Sequence, residues 1–421
     1  MELPKGWAFI SFNSAVIKAP VFNENKIKQR DYLVSGAIPI IDQGFDIIGG
    51  YSDDESKIVD CSLPAIVFGD HTKIVKFVNH SFCAGADGIK IVLPPKFLEP
   101  KCLYYFICLL AKKIPDKGYA RHYQHLEKEI LPLPPLAEQH RIVAKIDALF
   151  SRLDKGVETL QTIQQQLRVY RQAVLKWAFE GKLTNSKKEN WIDTTLGNIC
   201  QISSGGTPSR RNPKYYSGNI PWIKTGEINW NKIIDSEEHI TLEAIENSSA
   251  KYFPIGTILV AMYGQGLTRG RAAILEIEAT TNQAVCALIP SKSICKLYLF
   301  YFFQCNYWNL REKAVGGNQL NLNGDLISKL KIMLPTKSEQ HTIVSAIESR
   351  LSICDKLEQI VDENLNKAQA LKQSILKKAF EGRLVPQDPN DEPAEKLLER
   401  IKRERQTAIK KPKPAGRKKN G

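Results

Sequence analysis

One stretch of this chain occurs twice. Residues 138–184 and 339–385 align without a gap at a constant offset of 201 residues, and 17 of the 47 positions are identical. The identities gather at both ends: Glu138-Gln139-His140 against Glu339-Gln340-His341, and Ala178-Phe179-Glu180-Gly181 against Ala379-Phe380-Glu381-Gly382. A Leu-x-Pro feature precedes each copy, as Leu131-Pro132-Leu133-Pro134 and Leu334-Pro335. Only duplication produces gap-free identity over that length, and a repeat limits the possible architectures before composition is consulted.

Each copy is predicted to be one long helix. In the first, apolar side chains recur at alternating spacings of three and four: Ile146, Leu149, Leu153, Leu160, Ile163, Leu167, Tyr170, Val174 and Trp177. One slot falls on Gly156, where Val157 can shift into the seam. This is a coiled-coil pattern, and the second copy keeps it more loosely through Ile347, Leu351, Cys354, Leu357, Val361, Leu365, Ala368, Leu371 and Ile375. Prolines stand before each start, and Gly181 and Gly382 stand where each helix should stop. At ~1.5 Å per residue, roughly 45 residues make a rod of about 65–70 Å, too long for the inside of a compact domain. The first helix delivers the chain to the second segment, so the second helix must run back to lie along its partner. The expectation is an antiparallel pair separating two similar modules.

The segments outside the helices have another character: Gly, Pro, aromatics and short β-branched runs. Strands are expected at Ala65–Phe68, Ile74–Val78 and Ile89–Leu93, and again at Thr257–Met262 and Ala284–Ile289. Tyr104–Lys112 and Lys296–Cys305 read as short helices packed on those sheets. The fold class is α+β: two domains of mixed sheet with short helices, separated by two long helices forming an antiparallel coiled coil. The boundaries fall at 1–134 and 188–335 for the domains, 135–187 and 336–385 for the helical spacers, and 386–421 for a charged C-terminal helix with a basic disordered tail.

The loops of both domains hold residues suited to nucleic acid. The first offers Gln43, His71, Lys73, Lys76, Asp87, Arg121 and Tyr123. In the second, Ser203 to Tyr216 reads as a flexible basic–aromatic loop containing Arg210, Arg211 and Lys214, followed by Lys224. Further along come Gln265, Thr268, Arg269 and Arg271, then Asn282 and Gln283, then Asn318 and Gln319. Arg and Lys pair with guanine edges or phosphates, Asn and Gln with adenine edges. Any single one reads more readily as a turn or a solvated face; their recurrence in both segments points to DNA.

Net charge adds little. Of the formal +14, the final 26 residues supply +9, and the four acids of 386–395 take some back. The remainder is a modest excess over several domains, which permits DNA binding without establishing it. Nine scattered cysteines with no Cys-x-x-Cys, no signal peptide and no apolar run near ~20 residues suggest a reduced, cytoplasmic, non-membrane protein. Sequences of the Asn-Pro-Pro-Tyr type and a phosphate-binding Gly-x-x-x-x-Gly-Lys loop are both absent. Asp53, Asp54, Glu55 and Lys57 read as a polar turn rather than a nuclease centre, and His122 and His125 lack companions at zinc spacing. The chain is expected to bind, with no catalysis, cofactor or metal of its own. Two other readings stay open on the residues alone: a coiled-coil scaffold with protein-binding ends, and a stand-alone DNA-binding regulator.

The organisation resembles the specificity subunit of type I restriction–modification systems. The residues that carry the resemblance are Pro134-Pro135-Leu136-Ala137-Glu138-Gln139-His140-Arg141-Ile142-Val143, Pro335 to Val344, the Ala-Phe-Glu-Gly-Lys/Arg-Leu helix ends, and Val385 to Ala394 before a charged helix. Ile38 to Gly44, Phe68 to Thr72 and Gly205 to Ser209 are similar to motifs of target-recognition domains. The resemblance covers the chain to about residue 408. It implies that each domain reads one half of a split, asymmetric site on double-stranded DNA while the helices set the gap. It also implies two modification (methyltransferase) subunits carrying S-adenosylmethionine, and restriction subunits using ATP and Mg²⁺.

Overall fold

A computed structural model describes residues 3–20, 23–85, 88–115, 120–184, 188–264, 266–312 and 322–409. The chain divides into two compact units, Met1–Leu160 with Glu363–Gly421, and Gln161–Asp362. The division runs through both long helices, Leu136–Phe179 and Lys337–Phe380, so each unit owns part of each. No described helix is long and apolar enough to cross a membrane.

In the first unit the central sheet has the order Ile17–Lys18, Ile89–Leu93, Ala65–Gly69, Val75–Val78, all neighbours antiparallel. A second sheet runs Lys26–Ile27, Cys83–Gly85, Ile38–Ile41, Gly50–Ser52, with parallel joints except the last. The strand Ala65–Gly69 is buried along its whole length. Side chains alternate across a strand. Accordingly Ile66 and Phe68 join the cluster under the helix Pro100–Lys113, while Ala65 and Val67 join a separate cluster on the other face.

The second unit repeats this plan. Its central sheet is Cys200–Ser204, Val285–Pro290, Ile258–Ala261, Ala272–Leu275, Lys232–Ile233. Ile258 and Val260 face the cluster under Lys296–Cys305, and Leu259 and Ala261 face the opposite cluster. A smaller sheet joins His239–Ile240, Ile220–Ile223 and Thr280–Thr281. Each unit also has a two-stranded ribbon beside the start of a long helix, Ala8–Ser11 with Ile130–Leu133 and Ile192–Thr195 with Lys331–Leu334.

The repeated Glu-Gln-His triplets explain part of their own identity. Gln139 is fully buried; its Oε1 accepts from the Glu99 amide at 2.8 Å and its Nε2 donates to the Pro134 carbonyl at 2.9 Å. Gln340 repeats both bonds, with the Cys295 amide at 2.7 Å and the Pro335 carbonyl at 2.9 Å. One side chain thus ties the start of a short helix to the start of a long one. Trp7 Nε1 donates to Glu138 at 2.9 Å, and Trp191 Nε1 to Glu339 at 3.0 Å. Burial raises the Glu138 carboxyl above its ordinary pKa, and the Trp7 bond works against that shift. At the other end Gly181 and Gly382 adopt φ of 76° and 69°, the left-handed turn that closes each helix.

Within each unit the helix halves run antiparallel. In the second, Gln164 bonds Asp362 at 3.1 Å and Arg171 bonds Asp355 at 2.5 Å, so seven positions up one helix are seven down the other. The Arg171 fork also reaches Glu358 at 2.8 Å. Burial opposes its charge, but these bonds outweigh it and raise the guanidinium pKa. In the first unit Lys372 pairs with Asp154, and Ile146 shares a cluster with Ile375 and Leu376. The expected seam needs one correction: Trp177, Leu357 and Leu371 are 40%, 42% and 48% exposed. In each case the adjacent slot stays buried, Val174 beside Trp177, Cys354 beside Leu357 and Ile375 beside Leu371, so only one edge of the apolar stripe is covered.

Candidate nucleic-acid interface

The two central sheets carry comparable hairpins, and many of the expected residues lie on or beside them. In the first unit the hairpin Ala65–Gly69 to Val75–Val78 turns through Asp70-His71-Thr72-Lys73-Ile74. Buried Asp70 anchors the tip: its Oδ1 accepts from the Tyr123 amide at 2.8 Å, and its carbonyl accepts from the His122 amide at 2.8 Å. Gln43 Oε1 accepts from the His71 amide at 3.3 Å, and Thr72 Oγ1 donates to the Gln43 carbonyl at 2.7 Å. His71 Nδ1 lies 3.1 Å from the Ala120 carbonyl, and Lys73 takes a left-handed φ of 60°. Gln43 and His71 are therefore brought together beside Lys73, and Arg121 stands exposed next to Ala120 in the chain.

Two residues expected to face DNA are interior. Lys76 is 4% exposed, with Nζ 3.2 Å from Asp42 Oδ1. Its strand alternates, and position 76 falls on the covered face, where a lysine charge needs a partner. Tyr123 packs edge-on against Phe12 at 5.9 Å as part of the core. Asp87 lies outside the described residues.

In the second unit the segment expected to be flexible is fastened. A Cβ on Gly205 would lie 2.1 Å from the Thr281 carbonyl oxygen, so only glycine permits this approach. Trp222 Nε1 donates to the Gly206 carbonyl at 2.9 Å, and Tyr216 Oη to the Pro208 carbonyl at 2.7 Å. Arg210 lies over the Tyr216 ring at 4.0 Å and the Trp222 ring at 5.0 Å, and pairs with Glu238 at 2.7 Å. Lys224 reaches Glu237 and Glu238, both at 3.0 Å. The Arg210 bond holds the Glu238 carboxyl below its ordinary range, and Glu238 in return raises Arg210. Both cations are thus engaged within the protein, whereas Arg211, Lys214 and Gln283 are exposed. Asn282 shapes a turn: its Oδ1 accepts from the Ala284 amide at 3.2 Å.

The second hairpin loop, between Ile258–Ala261 and Ala272–Leu275, carries half-buried Thr268, Arg269 and Arg271. Arg271 Nη1 donates to Asn229 Oδ1 at 2.7 Å. Gln265, Asn318 and Gln319 lie outside the described residues. The sequence marked Asp42 and Asp70 only as members of the Ile38–Gly44 and Phe68–Thr72 motifs and Trp222 only as part of the segment leading to Lys224, and it did not mark Glu238 at all. A cue existed for Trp222, since Ile38-Pro39-Ile40-Ile41 and Ile220-Pro221-Trp222-Ile223 occupy matching parallel positions in the smaller sheets. Among the described residues, no group of three or more His, Cys, Asp or Glu side chains is arranged to hold a metal ion.

Two sheets of like strand order, each with a hairpin loop and surface cations, define a duplicated binding architecture, and comparison with known proteins agrees. Residues 4–167 and 188–367 match the type I restriction modification DNA specificity domain, and the chain belongs to that family. It is 26% identical over 362 residues to the EcoR124I/EcoR124II specificity subunit of Escherichia coli, covering 82% of this chain and 86% of that one. To the EcoBI specificity subunit of Escherichia coli it is 28% identical over 478 residues, covering 96% and 94%. Among solved structures, a chain of a type I restriction–modification system superposes with a TM-score of 0.70 at 18% identity, covering 91% of this chain and 100% of that one. The HsdS subunit from Thermoanaerobacter tengcongensis gives 0.56 at 18% identity, covering 91% and 99%. These structural likenesses bear on the fold.

Proposed function

We propose that this chain is the non-catalytic reading subunit of a cytoplasmic type I restriction–modification complex, directing its partners to a bipartite, asymmetric site on double-stranded DNA. The domain of residues 1–134 reads one half-site and that of 188–335 the other, and the helical spacers fix the gap between them. The supporting observation is the doubled module: four antiparallel central strands in the same order twice, each time with a hairpin whose loop differs in sequence. Exposed Arg121, Arg211 and Lys214 contribute phosphate contacts that hold register, while the hairpin loops and the Asn282–Gln283 turn face base edges. Two modification subunits, bringing S-adenosylmethionine, methylate an adenine in each half-site. Restriction subunits with ATP and Mg²⁺ add translocation and cleavage.

The test is selection of retained sequences from random duplex by the chain reconstituted with its methyltransferase partner. The expected product is a two-part motif with a fixed unspecified gap; retention without sequence bias overturns the reading. Matched four-residue insertions after Ile163 and Asp362 lengthen the paired helices by about 6 Å. They should widen the gap by about one or two base pairs at ~3.4 Å each and leave both half-sites intact. An altered half-site with an unchanged gap would refute the spacer role.

A further inference from the structure

We propose that Arg311 and Tyr307 are positioning residues that set the shape of the second module's reading hairpin, and thereby its half-site preference. The inference rests on the functional reading above. Arg311 Nη1 donates to the Arg269 carbonyl at 2.8 Å and Nη2 to the Gly266 carbonyl at 2.7 Å. Tyr307 Oη donates to the Leu267 carbonyl between them. Two side chains of the short helix Tyr307–Glu312 thus hold three main-chain carbonyls of one loop.

The loop needs an external hold. Gly264, Gly266 and Gly270 have φ of 141°, 59° and 86°, and three such glycines give a main chain with many accessible alternatives. Among the described residues the sheet pins the loop at its root, through the Gly270 amide to the Ala261 carbonyl at 2.8 Å, the Ala261 amide to the Arg271 carbonyl at 3.0 Å and the Met262 amide to the Ala284 carbonyl at 2.9 Å. A planar guanidinium with donors in a fixed fork sets the spacing of two carbonyls; a lysine ammonium, a point donor on a flexible stem, does not. The clamp is itself packed in place. Tyr307 packs edge-on against Trp230 at 5.4 Å, and the Arg311 guanidinium lies 5.4 Å from the Tyr307 ring centre. Tyr263 and Leu267 face outward at 39% and 52% exposure, so the held backbone presents them with Thr268 and Arg269 as one surface. The first module has no counterpart among its described residues: its tip is held by Asp70 and Gln43.

The test uses the full chain with its methyltransferase partner, site selection from random duplex, and amide exchange of residues 266–270. Arg311→Ala and Arg311→Lys should each reduce discrimination at the second half-site about tenfold or more, with the first half-site and gap unchanged. Tyr307→Phe should give a smaller loss in the same half-site. Loop amides should exchange faster in both Arg311 variants than in the parent protein. Restoration of specificity by lysine would show a simple charge contact and overturn the proposal, as would unchanged amide protection in both variants. Loss spread over both half-sites would also overturn it. If the parent protein selects no two-part site, the functional reading fails, and amide exchange still decides whether the clamp exists.

Discussion

Each module has its own central sheet, with four strands in like order, and the two differ in how they hold its hairpin. The first uses a compact tip whose polar atoms are consumed by Asp70, Gln43 and the His122–Tyr123 backbone. The second uses a longer, glycine-rich loop gripped by an arginine and a tyrosine from outside. A tip built from its own backbone network tolerates little sequence change, because each residue is also a hydrogen-bond partner. A loop clamped through carbonyl oxygens leaves its side chains free to vary, since every residue type has a carbonyl. The same scaffold thus supports one tip fixed by its own side chains and one loop whose non-glycine positions can vary while Gly264, Gly266 and Gly270 keep its shape.

The largest expected effect breaks the first module alone. Asp42→Ala leaves the Lys76 charge buried without its partner, which costs about 3–5 kcal/mol. Chemical denaturation should show that loss, and site selection should show the first half-site degraded and the second retained. The double variant Asp42→Leu, Lys76→Met should recover most of the stability, because an apolar pair of similar volume replaces a buried ion pair at little cost. If the recovered protein still fails to read the first half-site, Lys76 acts on DNA after all.

Smaller effects belong to the second module. Gly205→Ala drives a methyl into the Thr281 carbonyl, and overpacking of this kind costs about 1–3 kcal/mol. Loss should appear in the second half-site only; equal loss in both would mean that the modules are not independent. The smallest effect is one of pH. Arg210 holds the Glu238 carboxyl below its ordinary 4.5, so the pair stabilises the fold above that value and stops doing so as pH falls through the depressed one. Thermal melts of the parent and Glu238→Gln between about pH 6 and pH 3 should converge on the acid side. Parallel curves would remove this pair from the acid response.

The long helices were legible because their information is local and periodic, and duplication read it out twice. Strands were legible for the same reason: Ala65 to Phe68 and Ile258 to Ala261 are short apolar runs, buried on both faces. The loops resisted. Lys76 looked like a contact because its partner Asp42 lies 34 residues away, and nothing local marks a lysine for burial. Arg210 has its rings and its acid at Tyr216, Trp222 and Glu238, visible only once the sheet is assembled. The Gly205-Gly206 pair suggested flexibility, yet glycine here serves close approach, which sequence cannot distinguish from freedom. Leu357 and Leu371 misled for another reason: Cys354, Val361 and Ile375 of the same frame are buried, so the covered stripe is narrower than the periodic pattern that marks it.

The first unit is closed by the last part of the chain. Its core includes Ile375, Leu376, Ala379, Phe380, Ala394 and Leu397 alongside Trp7, Ile10 and Phe106. The Ala394 amide donates to the Gly6 carbonyl at 2.9 Å, and Arg141 pairs with Asp391 at 2.6 Å. During synthesis, the module that leaves the ribosome first is therefore the one completed last. All of residues 161–362 must emerge while its apolar surface waits for partners that lie beyond them in the chain. The second unit is contiguous in sequence and can close as soon as it is made. Premature termination shortly before residue 375 would accordingly spare the later module and expose the earlier one to chaperones and proteases.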